Sequence, residues 1–473
     1  MSRVVRVLAL LSVAAGVLWA WAGARARQAQ PNIVLVSIDS LRADHVGAYG
    51  YPRDTSPTID GLARDGVLFE QAFSSAPWTI PAHMSLLTGL PPELHRVESR
   101  ASKLSPDAVT LAEVLRDAGY TTAGIVSGPT VMGRYGFDQG FTSYDESMVE
   151  KRPARVANAV TSPGLVRLVD AFLTRWHDGG RAQPFFLFLH MWDVHYDYAP
   201  PDTYVRRFDP DYTGGLDARD LEHNTRLNAR MDARDLQHLV ALYDGEIRYT
   251  DDHLAQVVAR LRTLGVLDDT ILVVTADHGD EFFEHGQKGH AKTLYDEVLH
   301  VPLVVRYPRR IAAGQRVAEQ VRATDVAPTI LGLAGVAATP GFGAPGLARE
   351  HRSLDLTPYV AGAPPRPGLP ALPAFSTTRW LGGRQNALRT AGAKLIRYQP
   401  PLPHRAGIEV FDLGADPGEQ TNLHGSMRDQ FLATLTPRLE DWASDASRQT
   451  THALALAPAP EQDARLRALG YVE

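Results

Sequence analysis

Residues 32–39 read NIVLVSID, an almost wholly apolar run that ends in an aspartate. Three further runs of this kind occupy residues 121–127 (TTAGIVS), 184–190 (PFFLFLH) and 270–276 (TILVVTA). Runs that are apolar throughout, rather than alternating, are typical of strands buried on both faces of a parallel sheet. Amphipathic stretches separate the runs, and residues 236–264 give the clearest helical pattern. The sequence therefore predicts a doubly wound α/β layer structure.

Polar residues follow three of these four runs. They are Asp39 after the first, His190, Asp193 and His195 at the end of the third, and Asp277 and His278 after the fourth. Ligands of open parallel sheets bind beyond the carboxyl ends of the strands, so we expect these side chains to converge on one site. Taken singly, each of them is explained as well by a helix cap or a turn.

The composition excludes several classes of function. The chain has 473 residues, and its 48 Lys and Arg against 54 Asp and Glu give a net charge of −6. This balance leaves no basic surface for a phosphate backbone, so we expect no nucleic-acid partner. The sequence contains no cysteine. That absence excludes disulfides, thiolate metal sites, a thiol nucleophile and a lipoprotein anchor.

Residues 1–26 predict a signal peptide or an N-terminal membrane anchor. Arg3 and Arg6 precede an uncharged stretch over residues 7–24, which ends in the small residues Ala22-Gly23-Ala24 that suit a signal peptidase. The same stretch, at about 18 residues, is also just long enough to span a bilayer. Both interpretations predict an exported protein, periplasmic or extracellular, that touches a membrane only through this segment if it stays uncleaved.

Composition also divides the rest of the chain. Residues 31–336 carry the α/β pattern and form the predicted main domain. Residues 337–374 are rich in Pro, Gly and Ala, which predicts a connector. Residues 375–473 combine short strand-like pieces with a helix near residues 430–443, which predicts a smaller C-terminal α+β subdomain.

The most specific motif is residues 76–89, APWTIPAHMSLLTG. A proline-containing turn leads into a predicted short helix, whose N-terminus presents Thr79 and free backbone N–H groups to an anion. The motif resembles the signature of the sulfatase family, within the alkaline phosphatase superfamily: Cys or Ser, any residue, Pro, any residue, Arg, and an ending Leu-Leu-Thr-Gly. Aligned on that ending, Thr79 stands at the nucleophile position and His83 at the arginine position.

Other segments resemble the same family in order along nearly the whole chain. They are residues 32–45, Asp193-Val194-His195, Asp277-His278-Gly279-Asp280, residues 290–303 and residues 412–423. The resemblance implies a three-layer alkaline-phosphatase-like fold with residues 31–336 as the catalytic domain. It also implies a metal-dependent hydrolase of phosphoric or sulfuric esters.

Departures from the family pattern bear on the mechanism. Family sulfatases oxidise Cys or Ser to formylglycine, but the secondary hydroxyl of Thr79 would give a ketone, so we expect no formylglycine. A hydroxyl can attack directly when a metal ion lowers its pKa. Superfamily relatives that use threonine act on phosphorus, and residues 127–130 lack the Gly-Lys-x-His segment of sulfatases. The sequence therefore favours a phosphate ester as substrate.

The resemblance implies a divalent metal ion held by Asp39, Asp277 and His278, with the Thr79 oxygen completing the ligand set. Ser40 stands where sulfatases commonly have a second aspartate. One imidazole and few carboxylates favour zinc or manganese, with calcium possible, because calcium prefers an all-oxygen shell.

Several other residues have expected roles around the ester. His195 is the expected general acid for the leaving oxygen, because protonation of an alkoxide requires a group that titrates near neutrality, as imidazoles do. Lys292 and His290 are expected to neutralise nonbridging oxygens, with His83 also contacting substrate. His190 and Asp193 are expected either to hold a second metal or, for Asp193, to orient His195.

Three alternatives remain open beside the phosphate-ester hydrolase. One is a sulfuric ester hydrolase that works without formylglycine, and another is a transferase of phospho-alcohol groups. The third is a catalytically silent binding protein, which the lost arginine and the lost lysine would suit. The expected partner in each enzymatic case is a small-molecule, glycan or lipid ester.

Overall fold

One large sheet dominates the computed structural model, which describes residues 30–150, 161–362, 367–380, 382–401, 407–448, 453–457, 459–460 and 464. Within these residues the strands are β1 (Asn32–Ile38), β2 (Val67–Phe73), β3 (Ser102–Lys103), β4 (Thr121–Val126), β5 (Ser143–Asp145), β6 (Phe185–Met191), β7 (Thr270–Ala276), β8 (Glu281–Phe282), β9 (Lys288–Gly289), β10 (His300–Val301), β11 (Leu303–Arg306), β12 (Gln315–Arg322), β13 (Ala374–Trp380), β14 (Gly383–Arg389), β15 (Ala393–Gln399), β16 (Ile408–Asp412) and β17 (Leu454–Ala455).

Helices pack on both sides of this sheet. Across the same residues they are α1 (Pro57–Arg64), α2 (Thr79–Thr88), α3 (Pro92–His95), α4 (Leu111–Asp117), α5 (Ser147–Glu150), α6 (Ser162–Asp178), α7 (Asp202–Phe208), α8 (Ala233–Thr263), α9 (Asp296–Leu299), α10 (Val326–Ala334), α11 (Thr357–Val360) and α12 (Gly425–Arg448). The predicted helix over residues 236–264 corresponds to α8, and Gly265 follows it with a left-handed φ of +69°.

The four apolar runs form the centre of the large sheet. Their strands lie side by side in the order β7-β1-β6-β4, all parallel, and β5 extends the same edge in parallel. Every residue of β1, β6 and β7 is buried. The prediction of parallel strands buried on both faces is therefore correct for this half of the sheet.

The other half of the sheet is mixed, which the sequence pattern does not predict. Strand β11 runs antiparallel to both β7 and β2, and β12 then pairs parallel with β2. Strand β11 (LVVR) has only four residues, which is too few to show a hydrophobic period. Its direction is set instead by the connection through β10. Beyond β7 the layer is an α/β sheet with an antiparallel insertion.

A second, smaller sheet lies near the C-terminus. Strands β13 to β16 form an antiparallel meander, and α12 packs on one face, where Phe375 stacks on Trp442 with ring centroids 4.7 Å apart. This matches the predicted C-terminal α+β subdomain. The proposed boundaries at residues 337 and 374 stay a prediction, as does the export segment, because residues 1–26 lie outside the described part.

Within the described ranges, no helix is long and apolar enough to cross a bilayer.

A buried ion cluster joins the small sheet to the main domain. The ammonium of Lys394, on β15, lies 2.8 Å from Asp296 Oδ1 and 2.8 Å from Glu419 Oε1. Arg389, on β14, donates to the same Asp296 carboxylate at 2.9 Å. These two cations hold the pKa of Asp296 below its usual range, although burial alone would raise it. Asp296 therefore stabilises the interface between the two sheets only while it is ionised.

Replacing Asp296 by asparagine is expected to lower the free energy of unfolding by about 3–5 kcal/mol, because Arg389 and Lys394 each lose a buried carboxylate and Lys394 keeps only Glu419. Asp117→Asn is the matched control, since its pair with Arg116 is solvent-exposed and contributes roughly 0–1 kcal/mol. Because the folded pKa of Asp296 is depressed, its contribution is present at neutral pH and is lost as the pH falls. Urea unfolding at two pH values measures both effects. An equal loss of unfolding free energy in Asp296→Asn and Asp117→Asn would contradict this role of Asp296.

Candidate active site

Three sheet strands and one helix bring polar side chains to a common edge. Asp39 follows β1, His190 lies near the end of β6, Asp277 and His278 follow β7, and Thr79 begins α2. Strand β1 lies between β6 and β7, with Ile38 paired to Met191 on one side and Ala276 on the other. The residues that follow these strands therefore emerge next to one another, as the strand-end argument predicts.

Asp39, Asp277 and His278 form a compact donor group. Nε2 of His278 lies 3.2 Å from Asp277 Oδ2 and 3.7 Å from Asp39 Oδ1. Ligand atoms of the three residues all lie within 4.8 Å of one another, and all three side chains are buried. Nδ1 of His278 is 3.0 Å from the Gly279 carbonyl, an arrangement that leaves Nε2 for the group.

The electrostatics of this group fit a cation. The Oδ2 atoms of Asp39 and Asp277 are buried and have no hydrogen-bond partner among the described residues. Burial raises the pKa of each of these two carboxyls to about 7. Two adjacent buried carboxylates cost free energy unless a positive charge compensates them. The group therefore suits a divalent ion held by Asp39, Asp277 and His278.

Thr79 is the first residue of α2 and faces the same group. Its hydroxyl oxygen lies 3.3 Å from His278 Nε2, and its side chain is buried. The preceding residue, Trp78, supplies no side-chain cap to the helix. The backbone N–H groups of the first turn are consequently not satisfied by a cap at this end of α2. Thr79 thus lies beside the candidate metal donors, at a helix terminus that favours anions.

His83 lies behind this group, and its expected substrate contact is not supported. Its Nδ1 is 3.0 Å from the Thr79 carbonyl and 3.3 Å from Asp277 Oδ2, while Nε2 is 2.9 Å from the Ser37 hydroxyl. The ring is fully buried, and burial lowers its pKa to about 3. A neutral ring with both nitrogens occupied cannot stand in for an arginine. His83 instead contacts the Thr79 carbonyl and the Asp277 carboxylate and helps to fix their positions.

His190 and Asp193 do not form the pair expected for a second metal. Nε2 of His190 is 3.2 Å from Asp39 Oδ2, so this ring belongs to the first donor group. The Asp193 carboxylate accepts hydrogen bonds from the backbone of Thr161 at 2.7 Å and of Ser162 at 2.6 Å, and from the Thr161 hydroxyl. Asp193 therefore holds the start of α6, and its oxygens are occupied there rather than at a metal or at His195.

We expect Asp193→Ala to lower the free energy of unfolding by about 1–2 kcal/mol, because the N–H groups that begin α6 lose their acceptor. Metal content should stay unchanged. Asp232→Ala is the matched control, since Asp232 accepts from Arg234 N at the start of α8, at 2.8 Å. Urea unfolding and elemental analysis measure the two quantities. Loss of bound metal in Asp193→Ala would restore the second-metal interpretation.

His195 and His290 are buried next to the donor group. The ring of His290 is 4.2 Å from that of His278 and 5.0 Å from that of His195, centroid to centroid. His195 stacks on Trp192 at 3.8 Å, and its Nδ1 bonds to the Tyr196 carbonyl. Both histidines are therefore close enough to the donor group to act on one bound ester.

Lys292 is engaged elsewhere, so its expected contact with substrate oxygens is not supported. Its ammonium lies 2.9 and 2.7 Å from the two carboxylate oxygens of Glu222 and 2.8 Å from the Lys288 carbonyl. A positive charge paired in this way offers little to an anionic ester. Glu222 belongs to the segment between α7 and α8, 70 positions before Lys292 in the sequence.

A sequence profile described as Sulfatase matches residues 31–336. The chain belongs to the sulfatase family. Its relatives include an N-acetylglucosamine-6-O-sulfatase of Bacteroides thetaiotaomicron, 23% identical over 84% of this chain and 83% of that protein. The steryl-sulfatase of Mus musculus is 24% identical over 91% of this chain and 83% of that protein.

Solved structures agree on the fold of this sulfatase-family chain. The phosphonate monoester hydrolase of Agrobacterium radiobacter superposes with a TM-score of 0.66 and 22% identity, covering 90% of this chain and 100% of that one. The predicted fold class is thus confirmed. Family membership also makes the protein an ester-hydrolysing enzyme, of a family that depends on metal ions.

Sequence reasoning missed two partners within this sulfatase-family site. Asp280 bonds to His290, and Tyr198 bonds to Asp280. Asp280 stands in the DHGD motif, where the resemblance assigned it no role. Tyr198 carries no local signal, because it meets Asp280 across 82 positions of sequence.

Proposed function

We propose that this protein is a metal-dependent hydrolase of phosphate esters in which Thr79 is the direct nucleophile. The observation that carries the proposal is the Thr79 hydroxyl, 3.3 Å from His278 Nε2 beside two buried carboxylates. Oxidation of threonine cannot give an aldehyde, and this favours reaction of the hydroxyl itself. The helix terminus at Thr79 favours the negative charge of the attacked group.

Asp39, Asp277 and His278 would hold the metal ion, with the Thr79 oxygen as a further ligand. One nitrogen and two carboxylates suit zinc or manganese, and calcium remains possible. A divalent ion bound there lowers the pKa of a neighbouring hydroxyl and offsets negative charge on the ester.

The remaining steps use side chains of this chain. The Thr79 hydroxyl releases its proton to solvent, and its oxygen forms a bond to phosphorus while the bond from phosphorus to the alcohol oxygen breaks. His195 gives a proton to the departing oxygen, which avoids a free alkoxide, and later regains one from solvent. The oxygen of a water molecule then bonds to the same phosphorus, the bond from phosphorus to Thr79 breaks, and one proton of that water passes to the threonine oxygen. The products are the alcohol and phosphate.

Sulfate esters are the second candidate, because the curated relatives named above are sulfatases. A sulfo-threonine lacks the collapse that releases sulfate from hydrated formylglycine, and this difference favours phosphorus. The phosphonate monoester hydrolases among the fold relatives act, as their names say, on a phosphorus ester. We propose an exported enzyme acting on a small-molecule, glycan or lipid ester.

A kinetic screen tests the proposal. The metal-reconstituted protein is assayed with nitrophenyl phosphate, a bis-nitrophenyl phosphate diester and nitrophenyl sulfate at matched concentrations. We expect a phosphate ester to have the largest kcat/KM. A larger kcat/KM for the sulfate would show that the argument from threonine is wrong.

A further inference from the structure

His290 is buried, yet only one of its two ring nitrogens has a hydrogen-bond partner among the described residues. The side chain is 3% exposed, and Nδ1 lies 2.6 Å from Asp280 Oδ1. Nε2, on the other edge of the ring, has no hydrogen-bond partner among the described residues. A buried ring nitrogen without a partner costs free energy unless a ligand uses it.

Asp280 is fixed from two sides. Its Oδ1 faces His290, and its Oδ2 accepts a hydrogen bond from the Tyr198 hydroxyl at 2.5 Å. Tyr198 is itself buried, edge-on against Tyr243 at 5.3 Å. The carboxylate therefore cannot rotate without breaking a second bond. A carboxylate held in this way fixes the orientation of the imidazole that it contacts.

His290 is surrounded by rings of the candidate site. The ring stacks on Tyr196, with centroids 4.9 Å apart, and it neighbours the rings of His278 and His195. Lys292, the other side chain expected at nonbridging oxygens, is paired with Glu222. His290 is therefore the better-placed donor for an anionic group beside Thr79.

We propose that Tyr198 and Asp280 are positioning residues that present Nε2 of His290 to a nonbridging oxygen of the bound ester. The inference rests on the proposed function for the ester and its site. His290 contacts substrate, whereas Asp280 acts through His290 and Tyr198 acts through Asp280.

A second metal at this place fits the contacts less well. Donor atoms of His278, Asp280 and His290 do lie within 4.8 Å of one another. Both oxygens of Asp280 are already bonded, however, and its Oδ1 is 2.6 Å from the ring of His290. That spacing is a hydrogen bond between the two residues, which leaves no room for an ion between them.

The same chain offers a matched control. Tyr51 donates to Asp244 Oδ2 at 2.8 Å, and His45 Nδ1 lies 2.8 Å from Asp244 Oδ1. This second group links Tyr, Asp and His in the same way, with Arg53 as an additional partner of Asp244 Oδ2 at 2.7 Å, and it contains none of the candidate metal donors. Tyr51→Phe therefore removes the same hydroxyl from the same kind of group outside the proposed machinery.

Kinetics of variants test the positioning role. Asp280→Asn and Tyr198→Phe should each lower kcat, the former by roughly 10- to 100-fold, with a small change in KM. Tyr51→Phe should leave both constants unchanged. Imidazole added to His290→Gly should restore activity, and it should fail to do so in the Asp280→Asn, His290→Gly double variant. Equal rescue in both backgrounds would overturn the proposal.

A spectroscopic readout separates this inference from the proposed function. In protein labelled with ¹⁵N-histidine, the difference spectrum against His290→Gln identifies the His290 ring. We expect a proton on Nδ1, and a shift of Nε2 when inorganic phosphate is added. An unprotonated Nδ1, or one metal equivalent lost in His290→Gln, would overturn the positioning role even if no ester is turned over. Retained turnover in Thr79→Ala would instead contradict the proposed nucleophile alone.

Discussion

Thr79→Ala is expected to lower kcat/KM for the preferred ester by roughly 10³- to 10⁶-fold, because removal of a nucleophile leaves only binding and electrostatic stabilisation. The change removes a few atoms at the start of α2, so we expect the fold to persist. Steady-state kinetics on the metal-loaded variant measure the effect.

Thr88→Ala is the matched control for this loss. Thr88 is a buried threonine at the other end of the same helix, and its hydroxyl donates to the Met84 carbonyl at 2.6 Å. We expect this variant to lose some stability and little activity. Thr79→Ser, which keeps a hydroxyl, should retain measurable turnover. Full activity in Thr79→Ala would show that another group, such as water, attacks the ester.

Replacement of the proposed metal ligands is expected to have the second large effect. Asp39→Asn and Asp277→Asn should each abolish tight metal binding and reduce activity by at least about 100-fold, because a ligand charge is lost in a buried site. Asp251→Asn is the control: Asp251 is a buried carboxyl whose pKa burial likewise raises to about 7, but it caps α1 at Thr58 and Ile59. Elemental analysis and activity should be unchanged in that variant.

The same two carboxyls set the pH dependence of metal binding. Without the ion, burial holds the pKa of Asp39 and of Asp277 near 7. Protons therefore compete with the metal as the pH falls below that value, and affinity declines with falling pH. Calorimetric titration at several pH values should show proton release on binding. An affinity independent of pH between 6 and 8, as rough bounds, would contradict the ligand assignment.

The candidate site residues that the structure brings together, as the sequence predicts, share one property. Asp39, Asp277 and His278 each follow a buried parallel strand, so a local pattern fixes the end of the sheet at which they emerge. Thr79 is the first residue of α2, and it stands in a motif that runs from residue 76 to residue 89. A short stretch of sequence is therefore enough to predict where these residues lie in the fold.

The predicted site residues whose side chains are engaged within the fold share the opposite property. His83 meets Ser37 across 46 positions, Asp193 meets Thr161 across 32, and Lys292 meets Glu222 across 70. The residues next to each of them in the sequence do not indicate its distant partner. A titratable side chain in a family motif can therefore be engaged in contacts within the fold. Those contacts are visible in the structure and not in the sequence.

The mixed half of the sheet has a similar explanation. Strands β1, β4, β6 and β7 show the long apolar runs that parallel strands need when both faces are covered. Strand β11 is four residues long, and its antiparallel pairing with β7 follows from the path of the chain after α9. Direction is a property of the connection, which the composition of a short strand does not encode.

Mass spectrometry of the Thr79 peptide tests the central claim most directly. The resting enzyme should contain unmodified threonine at this position. After acid quenching during turnover of a phosphate ester, a fraction of the same peptide should be heavier by one phosphoryl group, and fragmentation should place that group on Thr79. An oxidised residue in the resting enzyme, or a phosphoryl group trapped only on another side chain, would contradict direct attack by Thr79.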